Sequence, residues 1–222
     1  METRQVTLPL GPDRQFRAVF AIPRTATMDA VLILGHGANN TMDHPLIAGV
    51  HEGLAKEGLV TVRFNFPYAE EGKQRPDPDP VLEAAFRLLA EYVAELEEFK
   101  GLELFLGGKS LGARIAAQIV AQDVGASGLV FLGYPLHPPG KPEKLRDRPL
   151  LALPCPPLFI QGGRDPFCQL ELLGRVLSQM PVRADLHLLP GRGHSFEKGG
   201  KAMSGDTLAE VIRVILAWMD SL

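Results

Sequence analysis

A serine, an aspartate and a histidine occur in this chain in settings that would support nucleophilic catalysis. Ser110 lies in Gly108-x-Ser110-x-Gly112, the spacing of a sharp strand-to-helix turn that exposes a serine hydroxyl. Because a serine hydroxyl is a weak nucleophile, a histidine must accept its proton and later return it to the leaving group. A carboxylate that orients the imidazole completes such a set. Asp165 and His194 are the candidates for these two roles.

Continuous apolar runs predict the strands that lead to these residues, because a strand buried on both faces of a sheet is apolar throughout. The runs are residues 30–34, 59–64, 102–106, 129–132, 158–160 and 184–189. Helical patterns occur at residues 45–58, 81–99, 113–120, 170–179 and 205–219, and an opening hairpin is predicted at residues 6–9 and 16–22. The alternation predicts a single α/β domain over residues 1–222, with helices on both faces of a mostly parallel sheet of about eight strands.

The carboxyl ends of parallel strands form the ligand-binding edge of such a sheet. The chemically distinctive residues that follow a predicted strand are residues 35–37, Ser110, Asp165 and His194. Acyl chemistry also needs backbone N–H donors for the developing oxyanion, and those of Ala38 and Leu111 are the natural pair. His36, within the first of these loops, is expected to shape the loop rather than to carry protons.

Six segments carry a family resemblance, and they are residues 35–38, 64–68, 107–112, 133–140, 162–165 and 193–196. Over nearly its whole length the sequence resembles the α/β-hydrolase fold, and most of all its small, lidless, dienelactone-hydrolase-like group. It is also similar to bacterial relatives of the hydrolase-like subunit of a eukaryotic histone acetyltransferase complex. The resemblance implies catalytic roles for Ser110, Asp165 and His194, and oxyanion roles for Ala38 and Leu111. A dienelactone hydrolase usually carries cysteine as its nucleophile, whereas this chain has Ser110.

These observations favour a cofactor-independent serine hydrolase that cleaves an ester, thioester or similar acyl bond of a small molecule through an acyl-enzyme. The alternative is a binding or scaffold protein of the same fold in which the three residues are vestigial. Few residues separate the predicted strand at 129–132 from Asp165, so we expect no large cap domain and an open site.

Four further residues are candidates for the surroundings of the site. Phe66, Tyr134 and His137 are candidate substrate-binding residues, although a surface position for His137 is equally compatible with the sequence. Lys109, next to the serine, would either favour anionic substrates or pair with Glu70 or Glu71, and the ion pair is the preferred interpretation.

Composition argues against other classes of partner. The 23 basic and 26 acidic residues give a net charge of −3, so no basic surplus indicates nucleic-acid binding. The N-terminus has no apolar signal-peptide core, and no apolar run approaches the roughly 18 residues of a membrane span. We therefore expect a cytoplasmic protein with no membrane contact; a monomer and a homodimer are both compatible with the sequence.

No cofactor or metal is expected. Residues 108–110 imitate the end of a phosphate-binding loop, but Glu103 stands where that motif needs its first glycine. His51-Glu52 begins a zinc motif, but Ala55 replaces its second histidine. The two cysteines, Cys155 and Cys168, flank one predicted strand that separates them by roughly 13–20 Å, beyond disulfide reach, so both should be free thiols.

Overall fold

The chain opens with the predicted hairpin, in which β1 (Glu2–Pro9) pairs antiparallel with β2 (Gln15–Ile22). The computed structural model describes residues 1–222. The remaining strands are β3 (Ala30–Gly35), β4 (Val60–Phe64), β5 (Glu103–Lys109), β6 (Gly128–Leu132), β7 (Pro157–Gly162) and β8 (Asp185–Leu189). They form one eight-stranded sheet in the order β1-β2-β4-β3-β5-β6-β7-β8, parallel from β4 to β8. The prediction of a mostly parallel α/β sheet is confirmed.

Helices cover both faces of this sheet. They are α1 (Pro45–Lys56), α2 (Pro67–Glu70), α3 (Asp79–Glu95), α4 (Leu111–Gln122), α5 (Leu170–Leu177) and α6 (Gly205–Met219), with short 3-10 turns at Glu97–Phe99 and Leu150–Ala152. The central strands contribute side chains to two hydrophobic cores, one on each face of the sheet. Val31 and Ile33 of β3 pack on the α3–α4 side, whereas Leu32 and Leu34 pack on the α1–α6 side. Burial on both faces explains why these strands are apolar at every position.

Both boundaries of helix α3 differ from the sequence prediction. Helix α3 begins at Asp79 rather than residue 81, because proline is tolerated in the first turn of a helix, where its missing N–H has no intrahelical partner. It ends at Glu95, since Leu96 adopts an extended backbone (φ −67°, ψ 120°) that breaks the helix before Phe99. The four-residue helix α2 was not predicted either.

The connection between β6 and β7, residues 133–156, contains only the 3-10 turn Leu150–Ala152. The expectation that no large cap domain is present is therefore confirmed. Cys155 and Cys168 are both buried free thiols, as predicted. No helix combines the length and apolar character needed to span a bilayer.

Candidate active site

The turn between β5 and α4 holds Ser110 in a strained conformation. Ser110 has φ 52° and ψ −107°, a region that non-glycine residues rarely occupy. The flanking glycines allow the turn to pack against β3, because a Cβ on either Gly108 or Gly112 would lie 2.2 Å from the carbonyl oxygen of Gly35. The Gly112 N–H also donates to the carbonyl of His36 (3.0 Å). The glycine spacing in the sequence thus corresponds to a real steric requirement.

Replacing Gly112 with alanine is expected to destabilise the protein by about 3 kcal/mol, the upper end for overpacking a tight site. The new methyl group meets the backbone of Gly35, which cannot move without displacing β3. Urea unfolding measures the change. Gly174→Ala is the matched control in helix α5, where a new Cβ meets nothing within 4 Å, and it should be neutral or stabilising. Equal stabilities of the two variants would contradict the steric explanation.

Asp165 and His194 are hydrogen-bonded to each other just beyond the ends of β7 and β8. Asp165 Oδ2 lies 2.7 Å from His194 Nδ1, and the Asp165 side chain is entirely buried. Because an ionised carboxylate only accepts hydrogen bonds, Nδ1 must carry a proton, and in the neutral imidazole Nε2 is then the acceptor. The ring of Phe167 lies against the imidazole, with centroids 4.3 Å apart, and limits its rotation.

Gln161, which the sequence analysis overlooked, donates a hydrogen bond to the same carboxylate oxygen as His194. Its side chain is fully buried at the end of β7, and Nε2 donates to Asp165 Oδ2 (2.6 Å). Its amide oxygen accepts from the N–H of Tyr134 (3.0 Å), and the Phe167 N–H donates to Asp165 Oδ1 (2.8 Å). The sequence prediction ended this strand at residue 160, two residues before its end at Gly162, and so left Gln161 outside it. The signal that could have identified Gln161 is a single polar residue in an otherwise apolar strand.

Strand β6 separates the serine turn from the aspartate–histidine pair. The Ser110 N–H donates to the carbonyl of Leu132 (3.2 Å), and Gly133 follows with φ 69°. A Cβ on Gly133 would lie 2.8 Å from the carbonyl oxygen of His194, so glycine permits the histidine loop to approach this strand end. The three residues thus share one sheet edge, with no direct hydrogen bond between the Ser110 hydroxyl and His194 in this structure.

The loop after β3 lies beside the serine. The position that a Cβ would take on Gly37 is 3.6 Å from Ser110 Cβ. Neither the Ala38 N–H nor the Leu111 N–H has an acceptor within the protein. Two backbone donors are therefore available next to Ser110, at the positions named from the sequence.

His36 shapes this loop, as expected. Its buried ring donates from Nδ1 to the carbonyl of Gly37 (2.8 Å) and accepts at Nε2 from the N–H of Phe66 (3.0 Å). The second bond requires an unprotonated Nε2, so the ring is neutral. Burial, the largest cause, lowers the pKa of His36 to about 4.

Buried neutral histidines should make the protein acid-sensitive. Burial also lowers the pKa of His51 to about 3, below the ordinary 6.5. Below pH 6.5 these histidines bind protons in the unfolded chain but stay neutral in the folded chain. The free energy of unfolding therefore falls as the pH drops from 6.5 towards 4. The expected slope reaches about 1.4 kcal/mol per pH unit for each fully buried histidine. Urea unfolding between pH 7 and 5 measures it, and His51→Gln should flatten the curve; a free energy that is constant over this range would contradict the prediction.

The three candidate substrate-binding residues are buried in this structure, and their role in binding substrate stays a prediction. Phe66 and Tyr134 have fully buried rings, and the Tyr134 hydroxyl donates to the carbonyl of Arg146 (2.9 Å). His137 is also buried rather than on the surface: Nδ1 donates to the carbonyl of Pro138 (2.9 Å) and Nε2 accepts from the Gln169 N–H (3.0 Å). Their position after strand ends suggested a ligand role, but here the chain folds back and uses them to fix its loops.

The predicted ion pair of Lys109 with Glu70 or Glu71 is also wrong. Glu70 instead pairs with Arg17 (2.8 Å), and Glu71 pairs with Arg14 (2.6 Å). Both acidic residues lie at the hairpin side of the sheet, where arginines of β2 and the hairpin turn reach them. Lys109 makes no salt bridge.

Comparison with known proteins agrees with this architecture. The model of a family described as the alpha/beta hydrolase domain matches residues 28–221, so the chain belongs to the alpha/beta hydrolase family. The structure is similar to a dienelactone hydrolase from Anabaena variabilis, with TM-score 0.78 and 20% identity over 99% of this chain and 97% of that one. It is likewise similar to a lidless serine hydrolase from Xanthomonas campestris, with TM-score 0.76 and 20% identity over 98% and 95% of the two chains. At these identities the likeness shows the fold.

Two curated relatives, both from Mycobacterium tuberculosis and both named as phosphoribosyl transferases, are 28% identical to this chain over 192 residues. The match covers 85% of this chain but only 40% of those proteins, so the chain spans less than half of their length. The name describes those longer proteins. The relation to a histone acetyltransferase subunit stays a prediction.

Proposed function

We propose that this protein is a serine hydrolase that cleaves an ester, thioester or similar acyl bond through an acyl-enzyme. The observation that carries the proposal is the 2.7 Å bond between buried Asp165 and His194 at the sheet edge where the strained turn presents Ser110. This bond leaves His194 Nε2 as the proton acceptor that a serine nucleophile needs. A scaffold protein has no evident use for this combination.

In the acylation step, His194 Nε2 accepts the Ser110 proton while Oγ attacks the carbonyl carbon. The oxyanion that forms accepts hydrogen bonds from the Ala38 and Leu111 N–H groups. The tetrahedral intermediate then collapses: the bond to the leaving group breaks, and that group takes the proton from His194 Nε2. The acyl group remains on Ser110 Oγ.

Deacylation repeats these steps with water as the nucleophile. His194 takes a proton from the water as its oxygen attacks the acyl carbon, and the proton then returns to Ser110 Oγ as the carboxylic acid leaves. Asp165 stabilises the imidazolium that forms in both steps. Gln161 and the Phe167 N–H keep the carboxylate in place.

The surroundings of Ser110 favour small or exposed acyl substrates. The β6–β7 connection adds no cap above the sheet edge, so little protein can enclose the acyl and leaving groups. A groove of about 700 Å³ lies between α1 and α6 and is lined by residues such as Gly53 and Ile212, and none of the three proposed catalytic residues borders it.

A fluorophosphonate probe tests the proposal directly, because it phosphonylates only an activated serine. Mass spectrometry of the labelled protein should locate the adduct on Ser110, and prior heat denaturation should abolish labelling. Failure of the folded protein to react would contradict a serine hydrolase and favour the binding or scaffold alternative.

A further inference from the structure

Lys109 is a buried cation that the proposed mechanism does not use. It is the last residue of β5, directly before Ser110, and only 3% of its surface is exposed. Lysines at this depth normally have an acidic or hydrogen-bonding partner, because an isolated buried charge is costly. Lys109 has neither a salt bridge nor a hydrogen bond.

The ammonium group lies close to the serine. The position of a Cβ on Gly37 is 3.5 Å from Lys109 Nζ, 3.6 Å from Ser110 Cβ and 3.7 Å from Asn40 Nδ2. Asn40 Nδ2 donates one hydrogen to the carbonyl of Ala38 (2.8 Å) and retains a second. The ammonium of Lys109 and the amide of Asn40 thus place N–H donors around Gly37, beside Ser110.

Solvent reaches the ammonium despite its burial. The side-chain nitrogens that lack both solvent contact and a hydrogen-bond partner are Arg4 Nε and Arg63 Nε. Lys109 Nζ also lacks a hydrogen-bond partner, but it is not fully shielded from solvent as those two nitrogens are. Part of the small exposed area of Lys109 is therefore the nitrogen itself. A ligand atom can consequently replace water at Nζ.

The nearest carboxylates do not neutralise Lys109. The charges of Asp165 and Glu197 oppose the larger effect of burial, which lowers the pKa of Lys109. However, neither carboxylate is within salt-bridge distance, and both are engaged elsewhere: Asp165 with His194 (2.7 Å), and Glu197 Oε2 with the Ser195 N–H (2.7 Å). The positive end of helix α4, which begins at Leu111, adds to the attraction for an anion.

We propose that Lys109 binds a carboxylate of the substrate, so that the preferred substrates carry an anionic group close to the scissile acyl bond. The inference rests on the proposed function, since it names the substrate class for the same serine. Lys109 would supply a charge-assisted hydrogen bond, and Asn40 a neutral one. An ester that lacks the anion would leave the ammonium without a partner.

Matched pairs of esters test this preference. One pair places the carboxylate in the acyl group, 4-nitrophenyl hydrogen glutarate against 4-nitrophenyl pentanoate. The other places it in the leaving group, 4-butyryloxybenzoate against its methyl ester. The quantity compared is the ratio of kcat/KM for the anionic ester to kcat/KM for the neutral ester. In at least one pair, this ratio should be about tenfold or more lower in Lys109→Met than in wild type, because the variant loses one charge-assisted hydrogen bond. The pair that responds shows which side of the scissile bond faces Lys109.

Lys198→Met is the matched control, because Lys198 is an exposed lysine near the same edge and the same net charge is lost. Its ratios should stay at the wild-type value. Ratios that are unchanged in Lys109→Met, or that fall equally in both lysine variants, would overturn the proposal. Circular dichroism and fluorophosphonate labelling establish that each variant is folded.

A binding measurement separates this proposal from the proposed function. In Ser110→Ala, which cannot form the acyl-enzyme, calorimetry should show tighter binding of the anionic member of the responding pair. Adding Lys109→Met should remove that preference. A protein that reacts with fluorophosphonate but binds both members of each pair equally well would retain its function and refute the role of Lys109. A protein that binds the anion through Lys109 but does not react with fluorophosphonate would support the role of Lys109 and contradict the proposed function.

Discussion

Ser110→Ala is expected to lower kcat/KM for a short-chain ester by about 10⁴-fold or more, because it removes the hydroxyl that would form the acyl-enzyme. The residual rate reflects binding and oxyanion stabilisation alone. The strained backbone at Ser110 does not depend on the side chain, so the fold should remain intact. Initial rates with 4-nitrophenyl butyrate and far-ultraviolet circular dichroism measure the two effects.

Ser195 provides the matched control for this prediction. It is the neighbour of His194, so it is another hydroxyl at the same edge, and its N–H rather than its hydroxyl makes the local hydrogen bond (2.7 Å to Glu197). Ser195→Ala should keep its activity within about threefold of wild type, as expected for a side chain outside the reaction. Loss of activity in Ser195→Ala and its retention in Ser110→Ala would show that the nucleophile is assigned to the wrong serine.

Asp165→Asn is expected to lower kcat by about 10⁴-fold, the effect seen when an amide replaces the carboxylate of a serine hydrolase triad. If the new amide nitrogen faces His194, Nδ1 must accept and the proton moves to Nε2, which can then no longer take the proton of Ser110. If the amide oxygen faces His194, the nitrogen opposes the N–H of Phe167, which donates to the carboxylate in the native protein. In the first orientation the new nitrogen opposes Gln161 Nε2, which donates to the same carboxylate oxygen in the native protein, so each orientation sets two donors against each other.

The same variant should therefore lose stability as well as activity, by about 1–3 kcal/mol for a buried unsatisfied donor. Steady-state kinetics and urea unfolding measure the two losses. Asp43→Asn is the control, since Asp43 is an exposed carboxylate that pairs with Arg63 (2.8 Å), and it should change neither quantity appreciably. Asp165→Asn with more than a tenth of wild-type activity would contradict the proposed role of the carboxylate.

The sequence predicted most of the sheet because its central strands are buried on both faces and are therefore apolar without interruption. It also predicted that Ser110, Asp165 and His194 lie at one edge, since each follows such a strand. The boundaries of α3 were harder to predict from the sequence. Proline inside the first turn resembles a loop in sequence, and only the backbone shows that Leu96 is extended.

The direction of single side chains was the part that the sequence could not provide. His137 and Tyr134 follow a strand end, as substrate-binding residues often do, but they turn inward and hold the β6–β7 connection. The sequence analysis paired Lys109 with Glu70 or Glu71. In the structure both glutamates form ion pairs with arginines of the hairpin instead. Pairings across the sheet depend on strand order, and β4 lies between β2 and β3 although it follows both in the chain.

The short β6–β7 connection also bears on how fast each catalytic cycle can end. A segment that folds over a reaction centre must reopen before products depart, and in many enzymes that reopening limits turnover. Residues 133–156 contain only a single 3-10 turn and offer no element of that kind. Formation or hydrolysis of the acyl-enzyme should therefore set the turnover number, and the rate should be insensitive to solvent viscosity.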